Sequence, residues 1–279
     1  MWPLLKIELY KIFKKPRTYI AFAAIAAIVV LIQLALYTDG ATYLDFVMRS
    51  INESFIVEGH MLNGYFVCFT ILQTLLVHVP LLIALIAGDA IAGEAAMGTL
   101  RLLVSKPVSR TGLLLAKFSA ATLYTLSLLL FMAVLALFGS MLLFGTGDMM
   151  VFKSSVFLIL DKSDVLWRYV GAFGFAALSM TTVAALAFLL SIFAENSIGP
   201  IITTMSIVIL FTILTTMDIP FFNVLKPYLF TNHMLNWKGF FEQPVDGREV
   251  AKSALILVGH IVLFLSIAIF VFRKKDILT

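Results

Sequence analysis

Few side chains in this 279-residue sequence have the types and spacing that catalysis or metal binding requires. The sequence contains neither the His-Glu-x-x-His zinc motif nor the Gly-x-Ser-x-Gly nucleophile motif. Its single cysteine, Cys68, excludes an internal disulfide framework and a cysteine-based metal cluster. His60, His233 and the scattered acidic residues around them show no metal-ligand spacing, so we expect them to be solvated and no metal to be bound. These patterns argue against an enzyme.

The composition predicts a membrane protein. Hydrophobic residues make up 61% of the chain and charged residues 13%, whereas a soluble domain has roughly a quarter of its residues charged. The apolar residues form continuous runs, and about 20 helical residues suffice to cross a bilayer core. Because these runs lack the alternation of a membrane barrel, we predict an all-α polytopic membrane protein. The six predicted spans are residues 19–37, 65–87, 113–144, 169–194, 200–217 and 254–272.

The distribution of basic residues predicts the orientation of these spans. Most lysines and arginines lie in the N-terminal segment, in the loop after the second span and in the tail, and basic residues in short loops stay cytosolic. Six spans then place both termini in the cytosol. The charged residues lie outside the span cores, which argues against proton- or ion-coupled transport. His78 is the one titratable side chain clearly within a span; we interpret it as a packed, neutral histidine, and Pro80 predicts a kink beside it.

Residues 1–16 have the pattern of an amphipathic helix that lies in the membrane interface. The lysines and Glu8 occupy most of the circumference outside an apolar stripe about 100° wide. We expect the stripe to face lipid and the lysines to face anionic headgroups. A basic flanking segment without helical order is the alternative. The stripe consists of Trp2, Leu5, Leu9, Ile12 and Phe13.

Residues 88–112, between the second and third spans, form the most informative loop. Residues 90–96 favour a helix, and Gly98 with Thr99 can end it and start the next. Ser109 can cap the helix that leads into the third span. A short cytosolic helix with an apolar face is expected to dock on another part of this protein or on a partner. The motif reads Glu94-x-x-x-Gly98-Thr99, Leu102-Leu103, then Lys106-Pro107-Val108-Ser109-Arg110, with Lys117 following.

This motif and its position resemble the type-2 permease superfamily of ATP-binding-cassette (ABC) transporters. The tail at residues 272–277 is similar to the usual ending of that family, and the N-terminal helix resembles its connecting helix. The motifs are specific over residues 88–118 and 270–277, and the resemblance in architecture covers the whole chain. It implies a six-span exporter subunit in the inner (plasma) membrane of a bacterium.

In that family the loop forms a coupling helix that docks on a separate ATP-binding subunit. The present sequence lacks the Gly-x-x-x-x-Gly-Lys-Ser/Thr phosphate loop, so ATP and magnesium are expected on the partner and no cofactor on this chain. A second permease copy or a paralogue is expected to complete the pathway, and no nucleic acid is implied. For Arg110 and Lys117, simple anchoring of the cytosolic side is an equal alternative. The coupling residues implied by the resemblance are Ile91, Glu94, Met97, Gly98, Thr99, Arg101, Leu102, Pro107, Ser109, Arg110 and Glu195.

The outer segments carry weaker signals. Residues 218–249 are rich in aromatic residues and broken by prolines, and they predict an interfacial or re-entrant hairpin before the last span. Residues 38–64 and 145–168 are interpreted as loops, either of which can form short surface helices.

Two other function classes stay open. An intramembrane enzyme needs a nucleophile–base pair, for which only His78 with Ser127 or Ser179 is available. A non-transport assembly or sensory protein with the permease fold is not distinguished from a transporter by sequence. The uncharged spans suggest an apolar or amphipathic passenger, but they fit ordinary lipid and helix packing equally well.

Overall fold

The chain is a multi-pass helical membrane protein, as its composition predicted. Five helices are long and apolar enough to cross a membrane, and a bent helix pair makes a sixth span if it is counted as one. The count of six membrane spans and the cytosolic placement of both termini stay predictions. The computed structural model describes residues 2–52, 62–104, 108–153, 156–217 and 219–275.

The chain begins with two helices joined at a proline. Helix α1 spans Trp2–Lys14, and α2 spans Pro16–Asn52. Pro16 occupies the first position of α2, where its missing N–H costs no helical hydrogen bond. Helix α2 runs well past the predicted span and bends at Asp39, whose φ of −121° and ψ of 20° are not helical.

The second predicted span is broken in the middle. Helix α3 (Gly64–Thr74) and helix α4 (His78–Ala87) meet at an angle of 56°. Pro80 lacks the N–H that would bond the carbonyl of Leu76, which explains the break and confirms the predicted kink. His78 was expected to be packed, but it is exposed at the break, with Nδ1 3.1 Å from the Thr74 carbonyl oxygen.

Two short helices form the loop that follows. Helix α5 (Asp89–Ala96) ends where Gly98 adopts a φ of +67°, and α6 (Thr99–Val104) begins directly after it. Glycine enters this left-handed region without the steric cost that a Cβ would impose. The predicted helix end at Gly98 is therefore confirmed.

The third span is one long helical rod with a π-helical turn. Helix α7 (Arg110–Ala133) continues through the turn at Val134–Phe138 into α8 (Gly139–Phe144). The Ser109 side chain accepts a hydrogen bond from the Gly112 N–H, which confirms the predicted cap. Gln33 of α2 donates to the Leu135 carbonyl in the π turn, at 3.0 Å.

A β-hairpin stands where short surface helices were considered. Strands β1 (Met149–Lys153) and β2 (Val156–Leu160) pair antiparallel, with Met149 opposite Leu160. That expectation is wrong for these two segments, each of which contains one valine and one phenylalanine, residue types that favour strands. Helix α9 (Lys162–Ser191) follows and lies at the centre of the bundle, against α4, α7, α10 and α13.

The last part of the chain folds back before it crosses again. After α10 (Ile198–Thr216) come short turns of helix, including α11 (Pro220–Asn223), α12 (Phe230–Met234) and a 3-10 helix at Leu235–Phe241. Helix α13 (Gly247–Lys274) is the last one described.

His233 lies within this folded-back segment. Its Nδ1 is 3.0 Å from the Ser253 hydroxyl and its Nε2 is 2.9 Å from the Pro227 carbonyl oxygen. It is buried, so the expectation that it is solvated is wrong. His60 lies outside the described residues.

Close helix contact predicts which glycines are essential. A Cβ at Gly64 would lie 2.6 Å from the backbone of Met141, whereas a Cβ at Gly174 meets nothing within 4 Å. Gly64→Ala should therefore destabilise the protein by about 1–3 kcal/mol, because α3 and α8 must separate. Gly174→Ala, the matched control, should be neutral or stabilising by up to ~1 kcal/mol. Thermal unfolding in detergent measures both, and equal melting temperatures would contradict the contact.

Candidate functional site

Four charged side chains from three helices meet in one buried cluster. Lys117 Nζ of α7 lies 2.9 Å from Glu8 Oε2 of α1 and 2.7 Å from Glu94 Oε2 of α5. Lys11 Nζ lies 2.8 Å from the other oxygen of each carboxylate. Glu8, Lys11, Glu94 and Lys117, the four-charge cluster, thus form a closed ring of alternating charge.

The cluster forms because each helix presents its charge toward the others. Glu8 and Lys11 are three residues apart, so they share one face of α1. Glu94 lies near the end of α5, and Lys117 lies two turns into α7. Lys117 is 2% exposed, Glu94 6% and Glu8 7%. At such burial each charge needs its partner, since an unpaired charge removed from water is strongly destabilising.

Asp89, at the start of α5, anchors a second group of ion pairs. Its Oδ2 lies 2.7 Å from Lys15 Nζ and 2.7 Å from Arg17 Nη2, and the Ser197 hydroxyl donates to its Oδ1. A Cβ at Gly93 would lie 2.2 Å from Asp89 Oδ1, so only glycine leaves room for this carboxylate. The pairs tie α5 to the junction of α1 and α2.

A serine from the central helix fixes the first turn of α5. Ser191 Oγ accepts hydrogen bonds from the backbone N–H groups of Ile91 and Ala92, each at 3.0 Å. These donors have no partner within the helix, so the hydroxyl satisfies groups that would otherwise be orphaned. Helix α5 is thereby held by α1, α7 and α9.

The ion pairs shift the pKa values of both residues on α1. Burial alone would raise the pKa of the Glu8 carboxyl, but Lys117 and Lys11 outweigh it and hold this pKa below its ordinary value. Burial would lower the pKa of the Lys11 ammonium, but Glu8 and Glu94 outweigh it and raise this pKa. Both groups therefore stay charged at neutral pH. This suits ion pairs that hold helices together and not a proton-transfer site.

The structure divides the residues of the loop motif between the interior and the surface. Ile91 is 1% exposed and packs with Leu114, Phe118 and Phe188 of this chain. The loop was expected to dock either on another part of this protein or on a partner, and Ile91 docks on another part of this protein.

Other residues of the motif are accessible at the surface. Met97 is 59% exposed, Gly98 and Glu195 are exposed, and the hydroxyl of Thr99 donates to the carbonyl of Glu94 at 3.3 Å. Arg101 and Leu102 lie in α6, and Pro107 lies outside the described residues.

Arg110 caps the last helix, a role that its place in the sequence does not indicate. Its Nη1 donates to the carbonyl oxygens of Arg273 and Lys275, at 3.1 and 2.8 Å, and so closes the end of α13. Lys275 Nζ in turn donates to the carbonyl of Ile192 at 2.6 Å. Arg110 was expected to contact a partner or headgroups. Its guanidinium group instead bonds the C-terminus of a helix, where a positive charge is favourable.

The N-terminal helix forms as predicted, but part of its apolar stripe packs on this chain and does not face lipid. Ile12 and Phe13 pack against the core, with the Phe13 ring 6.3 Å from that of Tyr124, and Trp2 is 65% exposed. The stripe, including the half-buried Leu5 and Leu9, was expected to face lipid.

The position of Glu8 in the sequence indicates which side of α1 packs on the protein. Glu8 was grouped with the outward lysines, although its helical position lies within about 40° of Ile12. A carboxylate on the apolar face of α1 signals a buried cation elsewhere, and that cation is Lys117.

Comparisons with known proteins give similarity without a function. A family model described as "Protein of unknown function (DUF2705)" matches residues 17–278. "Uncharacterized protein YhcI" of Bacillus subtilis (strain 168) is 27% identical over 205 residues, which cover 69% of this chain. The match spans 63% of that relative, so this chain covers less than two thirds of its length.

Removal of Lys117 tests the four-charge cluster. Lys117→Met should destabilise the protein by about 3–5 kcal/mol, because two carboxylates are left buried with one ammonium group. Adding Glu8→Gln to Lys117→Met should recover part of this loss, since one unpaired charge is then removed. Lys6→Met, on the exposed side of α1, is the matched control and should change little. Thermal melts that are equal for Lys117→Met and Lys6→Met would disprove the cluster.

The pKa shifts predict how stability depends on pH. The pKa of Glu8 is below its ordinary 4.5, so its contribution is present above that pH and is lost as pH falls through the folded-state value. The pKa of Lys11 is above its ordinary 10.5, so its contribution is present below that pH and is lost as pH rises through the folded-state value. The melting-temperature difference between wild type and Glu8→Gln should be constant around neutrality and shrink below about pH 4.5. A difference that grows in acid would contradict this assignment.

Proposed function

We propose a transport function for this chain, which belongs to the family described as protein of unknown function (DUF2705). It is the membrane-spanning permease subunit of an ABC exporter, and a separate subunit binds ATP and magnesium. The observation that carries this proposal is the four-charge cluster, because it ties the loop between the second and third spans to α1 and α7. A loop fixed in this way can transmit force, whereas a free loop cannot.

The connection extends from the loop to several parts of the bundle. Helix α5 continues from α4 through Gly88 and is bonded to the end of α9 by Ser191. Its Asp89 reaches Ser197, next to the start of α10. A displacement of α5 is therefore shared by α4, α7, α9 and α10, since none of these contacts can open without leaving buried polar groups unpaired.

The exposed tip of the loop is the proposed docking surface for the ATP-binding subunit. An open groove runs between α1 and the loop, with Tyr10, Lys14, Met97 and Leu103 in its wall. Met97 and Tyr10 are both exposed, so the groove offers apolar contact area beside a cation. Glu195, in the turn between α9 and α10, supplies the lesser second contact.

The proposal includes the assembly and its location. A second permease copy or a paralogue completes the pathway, and the complex lies in the bacterial plasma membrane with both termini cytosolic. The bilayer is the natural surroundings of the exposed apolar side chains along α10 and α13.

The enzyme alternative gains no support from the described residues. His78 bonds the carbonyl of Thr74, and the hydroxyls of Ser127 and Ser179 donate to carbonyls of their own helices. A nucleophile needs a base within hydrogen-bond reach, and these contacts show none around the three residues. An assembly protein without transport activity is separated from a transporter only by experiment.

Surface variants of the loop tip test the proposal. Met97→Asp places a charge in the docking surface without touching the cluster, so copurification of an ATP-binding protein with the tagged chain should fall about tenfold or more. Val224→Asp, at an apolar residue of the outer segment that is 72% exposed, is the matched control and should leave copurification unchanged. Affinity purification in mild detergent from the native membrane measures both. Failure of wild type to retain any ATP-binding protein, with the chain folded, would refute the permease assignment.

A further inference from the structure

The predicted second span breaks near its middle and exposes polar side chains there. Gln73 lies nine residues after Gly64, where α3 begins, which corresponds to about 14 Å at ~1.5 Å per residue. This is about half of the ~30 Å hydrocarbon core. Gln73, Thr74 and His78 are all exposed on this chain. Polar groups at such depth normally face a protein interior or a polar cavity, so this surface has a use beyond lipid contact.

Lys238 joins this patch from the folded-back segment. Its Nζ donates to Gln73 Oε1 at 3.1 Å and lies 5.8 Å from the ring centre of Trp237. Trp237 is held by Phe69, with ring centres 5.6 Å apart. An amide and an indole are the contacts found for this ammonium among the described residues, and neither carries the negative charge that would balance it. Because no negative charge balances it there, the ammonium group favours an anionic partner.

An apolar cavity adjoins the same residues. It has a volume of about 40 Å³ and is lined mainly by α3, α4, α7 and α9, with Met234 and Trp237 closing one side. Leu72 and Leu76 in its wall flank Gln73 along the chain. The one hydroxyl in the wall, that of Ser179, donates to the Phe175 carbonyl, which leaves an apolar surface. The cavity has room for a short stretch of hydrocarbon chain and not for a ring system.

We propose that Lys238, Gln73 and this cavity bind an amphiphile with an acidic headgroup. The carboxylate or phosphate pairs with the Lys238 ammonium and accepts from the Gln73 amide, and the hydrocarbon chain enters the cavity beside Trp237. Charge complementarity and the apolar wall define this class, since a neutral amphiphile would leave the ammonium unbalanced. The acidic headgroup belongs either to a bilayer lipid or to a free amphiphile that the protein carries.

Binding at this site needs no ATP-binding partner, so it can be tested separately from the proposed function. The purified full-length chain is placed in nanodiscs of phosphatidylcholine, and radiolabelled undecanoic acid, a probe that carries no ring, is titrated while the bound label is counted against empty nanodiscs. Lys238→Gln should weaken binding about tenfold or more. Lys238→Arg should retain it. Lys226→Gln, a charge-neutralising change in the same outer segment, is the matched control and should bind like wild type.

The two possible sources of the headgroup give different results in a competition. Added phosphatidylglycerol that displaces the probe from wild type supports the site and identifies a bilayer lipid as its occupant. Retention of the probe under these conditions supports the site and identifies a free amphiphile. Equal affinity for the acid and for its methyl ester, or equal affinity of wild type and Lys238→Gln for the acid, overturns the proposal.

Discussion

The burial of Lys117 between two carboxylates is the constraint on which the packing of α1, α5 and α7 depends. One ammonium group cannot balance both Glu8 and Glu94, so Lys11 must complete the ring. Each charged group contacts two groups of opposite charge only when α1, α5 and α7 are all in place. Because breaking a buried pair costs more than the pair contributes, the cluster is less a source of stability than a condition that forbids partial assembly.

The same constraint explains what the sequence could predict. Span positions follow from the lengths of the apolar runs, and the Pro80 kink and the Gly98 and Ser109 helix signals are local, so all of these were predictable. The cluster joins residues up to 109 positions apart, and no local pattern reports such a pairing. For Lys117, anchoring of the cytosolic side and a coupling role were equal alternatives, and neither predicts burial between two carboxylates because a count of basic residues ignores where a side chain points.

Two polar residues, Arg110 and His233, lie at backbone carbonyls with which the sequence does not connect them. The resemblance implied that Arg110 contacts a partner or the headgroups, with anchoring as an equal alternative. His233 was expected to be solvated because no metal-ligand spacing surrounds it. Each instead satisfies backbone carbonyls: Arg110 closes the end of α13, and His233 contacts the Pro227 carbonyl. A membrane protein with many helix ends has many orphaned carbonyl groups near the membrane surface, so its interfacial polar residues are often consumed in capping them.

The geometry of α4 connects the two ends of the second span. This helix is ten residues long, begins at the break beside Gln73 and leads through Gly88 directly into Asp89 and the ion pairs of α5. Its end at Ala87 lies next to the ion pairs of Asp89, whereas its other end lacks a continuous helical connection to α3. The Val79 N–H bonds the Leu75 carbonyl at 3.0 Å, but Pro80 offers no N–H to Leu76. Because the helical hydrogen bonds are incomplete at the break, a rotation of α5 would change the angle there first. The charged residues of α5 and the polar patch around Gln73 thus lie at opposite ends of α4, and Pro80 determines where the break between α3 and α4 falls.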